Sequence, residues 1–171
     1  MKPSDLLDNE YLPYFGLYIG KAPQSTILQG LETGIETVLN VLQEFPIEKF
    51  DYRYAVGKWT IKEVLQHIID TERIFGYRAL RIARGDQTPI AGFDQDDYVT
   101  AAKSSDKLFD AMLEDYKVCR ANTIAMFRSF DDEMLMQIGN VSGANMSTRA
   151  AGYIIVGHEL HHMDVLQERY L

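Results

Sequence analysis

The chain has 171 residues, 46% hydrophobic, 25% charged and 11% aromatic, with a net charge of −8 at neutral pH. That balance excludes a disordered chain, and 171 residues fit one domain, 1–171, with one core. The acidic total leaves no basic face for gripping phosphates, so nucleic acid and anionic membrane are not expected partners.

From the beginning of the chain, MKPSDLLDNEYLPYF lacks the basic start and apolar run of a signal peptide. No apolar run approaches membrane length, and the cytoplasm is the expected location. Residues 1–24 are rich in Tyr, Pro and Gly and read as an ordered lead-in, with Tyr11, Tyr14, Phe15 and Tyr18 lying across the helices that follow. The first long helix is expected over Ser25–Glu44, with Ile27, Leu28, Leu31, Ile35, Val38, Leu39 and Leu42 at helical spacing and Pro46 beyond its end.

The second helix has the clearest start. Thr60 and Glu63 have capping-box spacing, and Trp59 before the cap is placed to pack on Val64. Its apolar face runs through Ile61, Leu65, Ile68, Phe75, Ala79 and Ile82 to a stop at Gly85. Arg73, Arg78, Arg81 and Arg84 on this helix read as a solvated face. Residues 86–104 form a long connection, of the kind that often shapes a site. A third helix is expected from about Ser105, using Met112, Tyr116, Cys119 and Phe127. Cys119, the single cysteine, reads as a small buried hydrophobe. A short turn over Asp132–Gln137 and a break at GNVSGAN follow, and Ser147 caps a fourth helix that runs to the chain end. No segment shows sustained strand alternation. The pattern predicts an all-α fold, a four-helix bundle whose long loops permit crossovers.

All four histidines, His67, His158, His161 and His162, fall on expected helices. His158 and His162 are four apart, offset by about 40° on one face. They continue the apolar stripe Ala151, Ile155 and Val165, so they point inward, where an unpartnered imidazole needs a partner. A metal ion supplies one, and His67, beside Val64 and Ile68, can supply a third ligand. His161, three residues after His158, is an alternative to His162 on spacing alone. Open coordination at a three-imidazole ion favours chemistry over a purely structural role.

Two other metal patterns compete for the same residues. His158-Glu159-Leu160-His161-His162 matches H-E-x-x-H, with Glu159 as general base, but only nine residues follow His162 and none is a histidine. Glu159, rotated about 100° from His158, reads as solvated. A di-iron bundle needs two E-x-x-H pairs; Val64 stands where the second Glu would be. One ion is the better count. Asp70, Thr71 and Asp164 are candidates to orient the imidazoles. Glu72 continues a buried stripe and calls for a cation, for which Arg120 is the candidate, most simply as a structural ion pair.

The stretches GKWTIKEVLQHIIDTERIFGYRALRIARGD (57–86) and GHELHHMDVLQERY (157–170) resemble the DinB-like superfamily and its YfiT-like members. The shared features are a tryptophan at the start of helix 2, one histidine in that helix, and an H-x-x-x-H pair in helix 4: here Trp59, His67, His158 and His162. The resemblance implies a crossover four-helix bundle and a three-histidine site in which His162, not His161, is the ligand. It further implies a metal-dependent enzyme, a hydrolase or a transferase of a low-molecular-weight thiol such as bacillithiol or mycothiol. The ion would activate the thiol or water for attack on a small electrophile entering between helices 2 and 4. A non-catalytic metal-binding or stress-associated bundle is the competing expectation. Three imidazoles suit zinc or nickel first, iron or copper next. The expected partners are a small-molecule substrate, with or without a thiol, and a second copy of the chain in a homodimer.

Overall fold

Four long helices, α2 (Ile27–Gln43), α3 (Ile61–Ala83), α5 (Phe109–Arg128) and α7 (Thr148–Tyr170), carry the core in a computed structural model that describes residues 1–171. Short helices α1 (Gly16–Ile19), α4 (Gln95–Ala102) and α6 (Asp132–Met136) and a hairpin of β1 (Ile138–Val141) and β2 (Ala144–Ser147) fill the connections. None of the helices is long and apolar enough to cross a membrane.

Side chains close the starts of three of the long helices. Thr26 and Gln29 form a capping box for α2, and Thr60 and Glu63 form the expected one for α3. Ser147 accepts the Ala150 N–H to cap α7. The long helices do not follow sequence order around the bundle. α7 lies between α2 and α3, and α5 closes the other side between the same two. The consecutive pair α2 and α3 is therefore diagonal. This crossover arrangement makes α3 and α7 neighbours, although about half the chain separates their histidines.

The apolar core divides into two clusters, one around Leu31, Phe75, Phe127 and Ile154, the other around Val38, Leu65, Tyr116 and Leu166. Between them three of the long helices turn polar at one level, with Glu72 on α3, Arg120 on α5, and His158 and Glu159 on α7, while α2 presents Gly34 there. Arg120 is fully buried and paired with both Glu72 (2.8 Å) and Glu159 (2.5 Å), and it also donates to the Leu31 carbonyl (3.0 Å). Tyr116 donates to Glu159 at 2.7 Å. A Cβ on Gly34 would lie 2.2 Å from Glu159 Oε1 and 2.7 Å from Arg120 Nη1, so only glycine admits this network.

The Glu72–Arg120 pair is present as expected, but the expectation that Glu159 is solvated fails. Thr148–Glu159 are buried without a break, because α1, α2, α3 and α6 enclose the first half of α7. A side chain rotated off one buried face simply meets another. Cys119 is buried as expected.

Three further expectations are corrected. The connection 86–104 contains α4, capped by Asp94, whose carboxylate accepts the Asp96 and Asp97 N–H groups. The third helix starts at Phe109 rather than near Ser105, after a 3₁₀ turn at Ser104–Asp106. The break at GNVSGAN is a hairpin turn. Ser142 and Gly143 both take positive φ (55° and 83°), the conformation of a two-residue turn that matches strand twist. Its four-residue strands are too short to show alternation.

Candidate metal site

His67 sits in the second turn of α3, and His158 and His162 lie one turn apart on α7. Because those helices are neighbours, the three rings meet. His158 Nε2 is 2.9 Å from His67 Nε2 and 3.1 Å from His162 Nε2. Ring nitrogens of all three lie within 4.8 Å of one another, an arrangement that could hold one metal ion. His161 is outside this group. It is half-buried, with its ring edge toward Tyr18.

Burial disfavours the charged form of each ring. It lowers the His67 pKa to about 4, and it holds those of His158 and His162 well below the usual histidine value, with repulsion from the neighbouring imidazoles adding to the effect. The three rings are neutral at pH 7, the form that donates a lone pair.

Aromatic side chains, rather than carboxylates, set the ring orientations. Trp59 packs on His67 with centroids 4.7 Å apart and stacks toward His162 at 6.3 Å. Tyr18 meets His158 edge-on at 5.1 Å. Its position depends on Gly157, where a Cβ would lie 1.7 Å from the Tyr18 carbonyl oxygen, so α1 seats directly on α7 beside His158. The carboxylates proposed from sequence to orient the rings act elsewhere. Asp70 accepts from Gln66 (2.9 Å), and Asp164 pairs with Lys21 (2.5 Å). Thr71 Oγ1 is buried without a hydrogen-bond partner.

Two cavities flank the histidines. One of about 250 Å³ is lined by His67 and His158, with Tyr18, Phe75 and Phe93 among its walls. The other, about 340 Å³, is lined by His161 and His162 with Trp59 and Lys58. Gln95 lines both. The segment 90–95 closes over the first cavity and is stitched to the hairpin: Ile90 N–H donates to the Asn140 carbonyl and Ser142 N–H to the Ile90 carbonyl, each at 2.9 Å. The long connection shapes the mouth, as its length suggested.

One residue of the expected solvated arginine face belongs here instead. Arg73 and Arg84 are exposed, but Arg78 is buried and lines the first cavity. Helical spacing carried that signal: Arg78 is rotated about 140° from Arg73 and continues the stripe of His67, Thr71 and Phe75.

The family model of the DinB superfamily matches residues 31–166, most of the chain and all three converging histidines. The chain belongs to the DinB superfamily. No protein of curated function matches the sequence. Among solved structures, this DinB-superfamily chain is similar to YfiT from Bacillus subtilis, with a TM-score of 0.75 and 18% identity over 93% of this chain and 91% of that one. YfiT is described as a probable metal-dependent hydrolase with an unusual four-helix bundle topology. At that identity the likeness establishes the shared fold, including the order of helices around the bundle.

Proposed function

We propose that His67, His158 and His162 hold one divalent transition-metal ion, and that the protein is a metal-dependent enzyme acting on a small molecule, with hydrolysis as its reaction class. One observation carries this reading: three neutral imidazoles, two buried and one half-buried, converge beside a cavity with no protein partner at the converging nitrogens except one another.

The donor set fits an ion better than it fits a hydrogen-bonded cluster. A neutral ring nitrogen has either one proton or one in-plane lone pair, so His158 Nε2 cannot make good hydrogen bonds to both neighbours. Three lone pairs directed at a cation remove that conflict. Two of the three separations, 2.9 and 3.1 Å, are near the edge of about 3.3 Å expected for a tetrahedron with metal–nitrogen bonds of about 2.0 Å, and the three nitrogens together lie within 4.8 Å of one another. Zinc and nickel are the first candidates.

When bound, such an ion supplies a Lewis acid that lowers the pKa of a ligand in its open position. The chain's own residues do the rest. His67, His158 and His162 would hold the ion, and Trp59 and Tyr18 pack against their rings. Phe75, Phe93 and Tyr18 line the cavity with apolar surface and limit the water beside the reacting atoms. The structural neighbour YfiT, described as a probable metal-dependent hydrolase, supports the same class.

The second cavity favours a second reading, thiol transfer, in which a low-molecular-weight thiol occupies one side of the histidines and an electrophile the other. Metal analysis of untagged protein tests the site. Wild type is expected to carry about one equivalent, and His67→Ala and His162→Ala to lose most of it; equal content in all three overturns the assignment. Turnover of a chromogenic ester, with and without added thiol and before and after chelation, separates the two reaction classes. Activity unchanged by chelation counts against both.

A further inference from the structure

Three arginines are buried in this protein: Arg78, Arg120 and Arg149. Arg120 is paired with Glu72 and Glu159, and Arg149 with Glu10. Arg78 has no carboxylate partner. It is 3% exposed, its Nε makes no hydrogen bond, and its only polar contact is a long one of 3.4 Å from Nη2 to the Ala91 carbonyl. Two aromatic faces cradle the guanidinium, Phe75 at 4.7 Å and Phe93 at 5.6 Å. Cation–π contact of this kind replaces only part of the hydration lost on burial. Burial correspondingly pulls the Arg78 pKa down, with no neighbouring acid to raise it.

The guanidinium lines the cavity that His67 and His158 also line. It is the one permanently charged group on that wall, and no carboxylate lines the cavity. The nearby Arg73 and Arg81 are already neutralised by Asp115 and Asp86. A second unsatisfied group, Thr71 Oγ1, stands between His67 and Arg78 on the same stripe of α3. His67 and Arg78 are separated by about 16 Å of helix rise, and side chains on a helix tilt toward its N-terminus, so Arg78 leans back toward the histidines. Polar atoms left unpaired deep in a cavity, where each has a free-energy cost, are the complement of a ligand that pairs them.

We propose that Arg78 is the anion-recognition residue of this cavity, and that the substrate is a small carboxylate with an aromatic or other apolar body. The carboxylate would sit on the Arg78 fork within reach of Thr71, the apolar body against Phe75 and Phe93, and the reacting group toward the histidines. This deepens the metal-enzyme reading and takes from it only the position of the reacting group. A carboxylate is preferred to a phosphoryl group because the end of the cavity away from the histidines holds a single guanidinium, whose planar fork pairs one carboxylate and neutralises one charge.

The test is calorimetric binding of benzoate, benzamide and inorganic phosphate to the purified protein, as isolated and after chelation. Wild type and the variants Arg78→Met and Arg78→Lys are compared. Benzoate is expected to bind at least about tenfold more tightly than benzamide, in chelated protein as well. Arg78→Met is expected to lose that preference, and Arg78→Lys to keep part of it because the charge remains but the planar fork does not. Folding of Arg78→Met is checked by thermal unfolding, where a midpoint at or above wild type is expected because an uncompensated buried charge has been removed. Equal benzoate affinity in Arg78→Met, no preference for benzoate over benzamide, or tighter binding of phosphate overturns the proposal. Metal content, measured on the same samples, reports on the histidine reading separately: a metal-free protein that still binds benzoate through Arg78 would sink the ion and keep the anion site.

Discussion

Arg120 and Arg78 are almost equally hidden from water, and their surroundings are opposite. Arg120 lies in the middle of the bundle with two carboxylates, a carbonyl and a tyrosine closing around the same network. Arg78 lies under a loop at the cavity wall, with aromatic faces and almost no hydrogen-bond acceptor. Burial alone does not tell what a charge is for; the completeness of its hydrogen bonding does. A satisfied buried network fixes which helices are neighbours, whereas an unsatisfied one has capacity left for something that arrives from outside.

The strongest way to break this contrast is to remove Arg120. Arg120→Met leaves Glu72 and Glu159 facing each other without a cation, and denaturant unfolding is expected to show a loss of about 3–5 kcal/mol. A loss below about 1 kcal/mol would mean that the network contributes little to holding the bundle. Gly34→Ala attacks the same network sterically. Its Cβ would collide with Glu159 and Arg120, and a loss of about 1–3 kcal/mol is expected in the same measurement. Arg78→Met has the opposite sign: a gain of about 1 kcal/mol, since it removes a charge that has no partner.

The smallest effect concerns Glu10, which resembles Arg120 in being paired. Burial pushes its pKa up, but hydrogen bonds from Arg149, Ser147 and the Leu7 N–H outweigh that and hold it below the ordinary carboxyl value of 4.5. A depressed folded pKa stabilises the protein fully above that ordinary value, and the contribution fades as pH falls through the lowered one. The Tm difference between wild type and Glu10→Gln is therefore expected to be greatest near neutral pH and to shrink below pH 4.5. A difference that grows on acidification contradicts the pairing.

Much of the bundle was legible in the sequence. The starts of α3 and α7, the apolar stripes and the inward-facing pair His158 and His162 follow from periods and caps that act within a few residues. The order of the helices was not legible in periods or caps, because it depends on which faces fit across long connections; only the family resemblance pointed to a crossover. Glu159 shows the limit most clearly: helical rotation said correctly that it leaves the His158 face, and only the packing of α1, α2 and α6 around α7 shows that the other face is buried too. Arg78 is the converse case. Its rotation toward His67 and Thr71 is readable from the spacing, but its charge resembles that of the exposed Arg73 and Arg84 and masks the angle. Helix α4 was hidden for a different reason, being eight residues started by a single capping aspartate with little apolar surface to reveal it.

The roof of the first cavity is fastened to the hairpin by main-chain bonds at Ile90, Asn140 and Ser142. Such fastenings are indifferent to side-chain identity. Positions 91–93 and 95 can therefore be varied in a library, with Asp94 kept as the cap of α4, while the Ile90 anchor keeps its register and the histidines, on separate helices, stay put. Reprogramming what enters this protein should begin on that short stretch, where chemistry can be exchanged without rebuilding the scaffold.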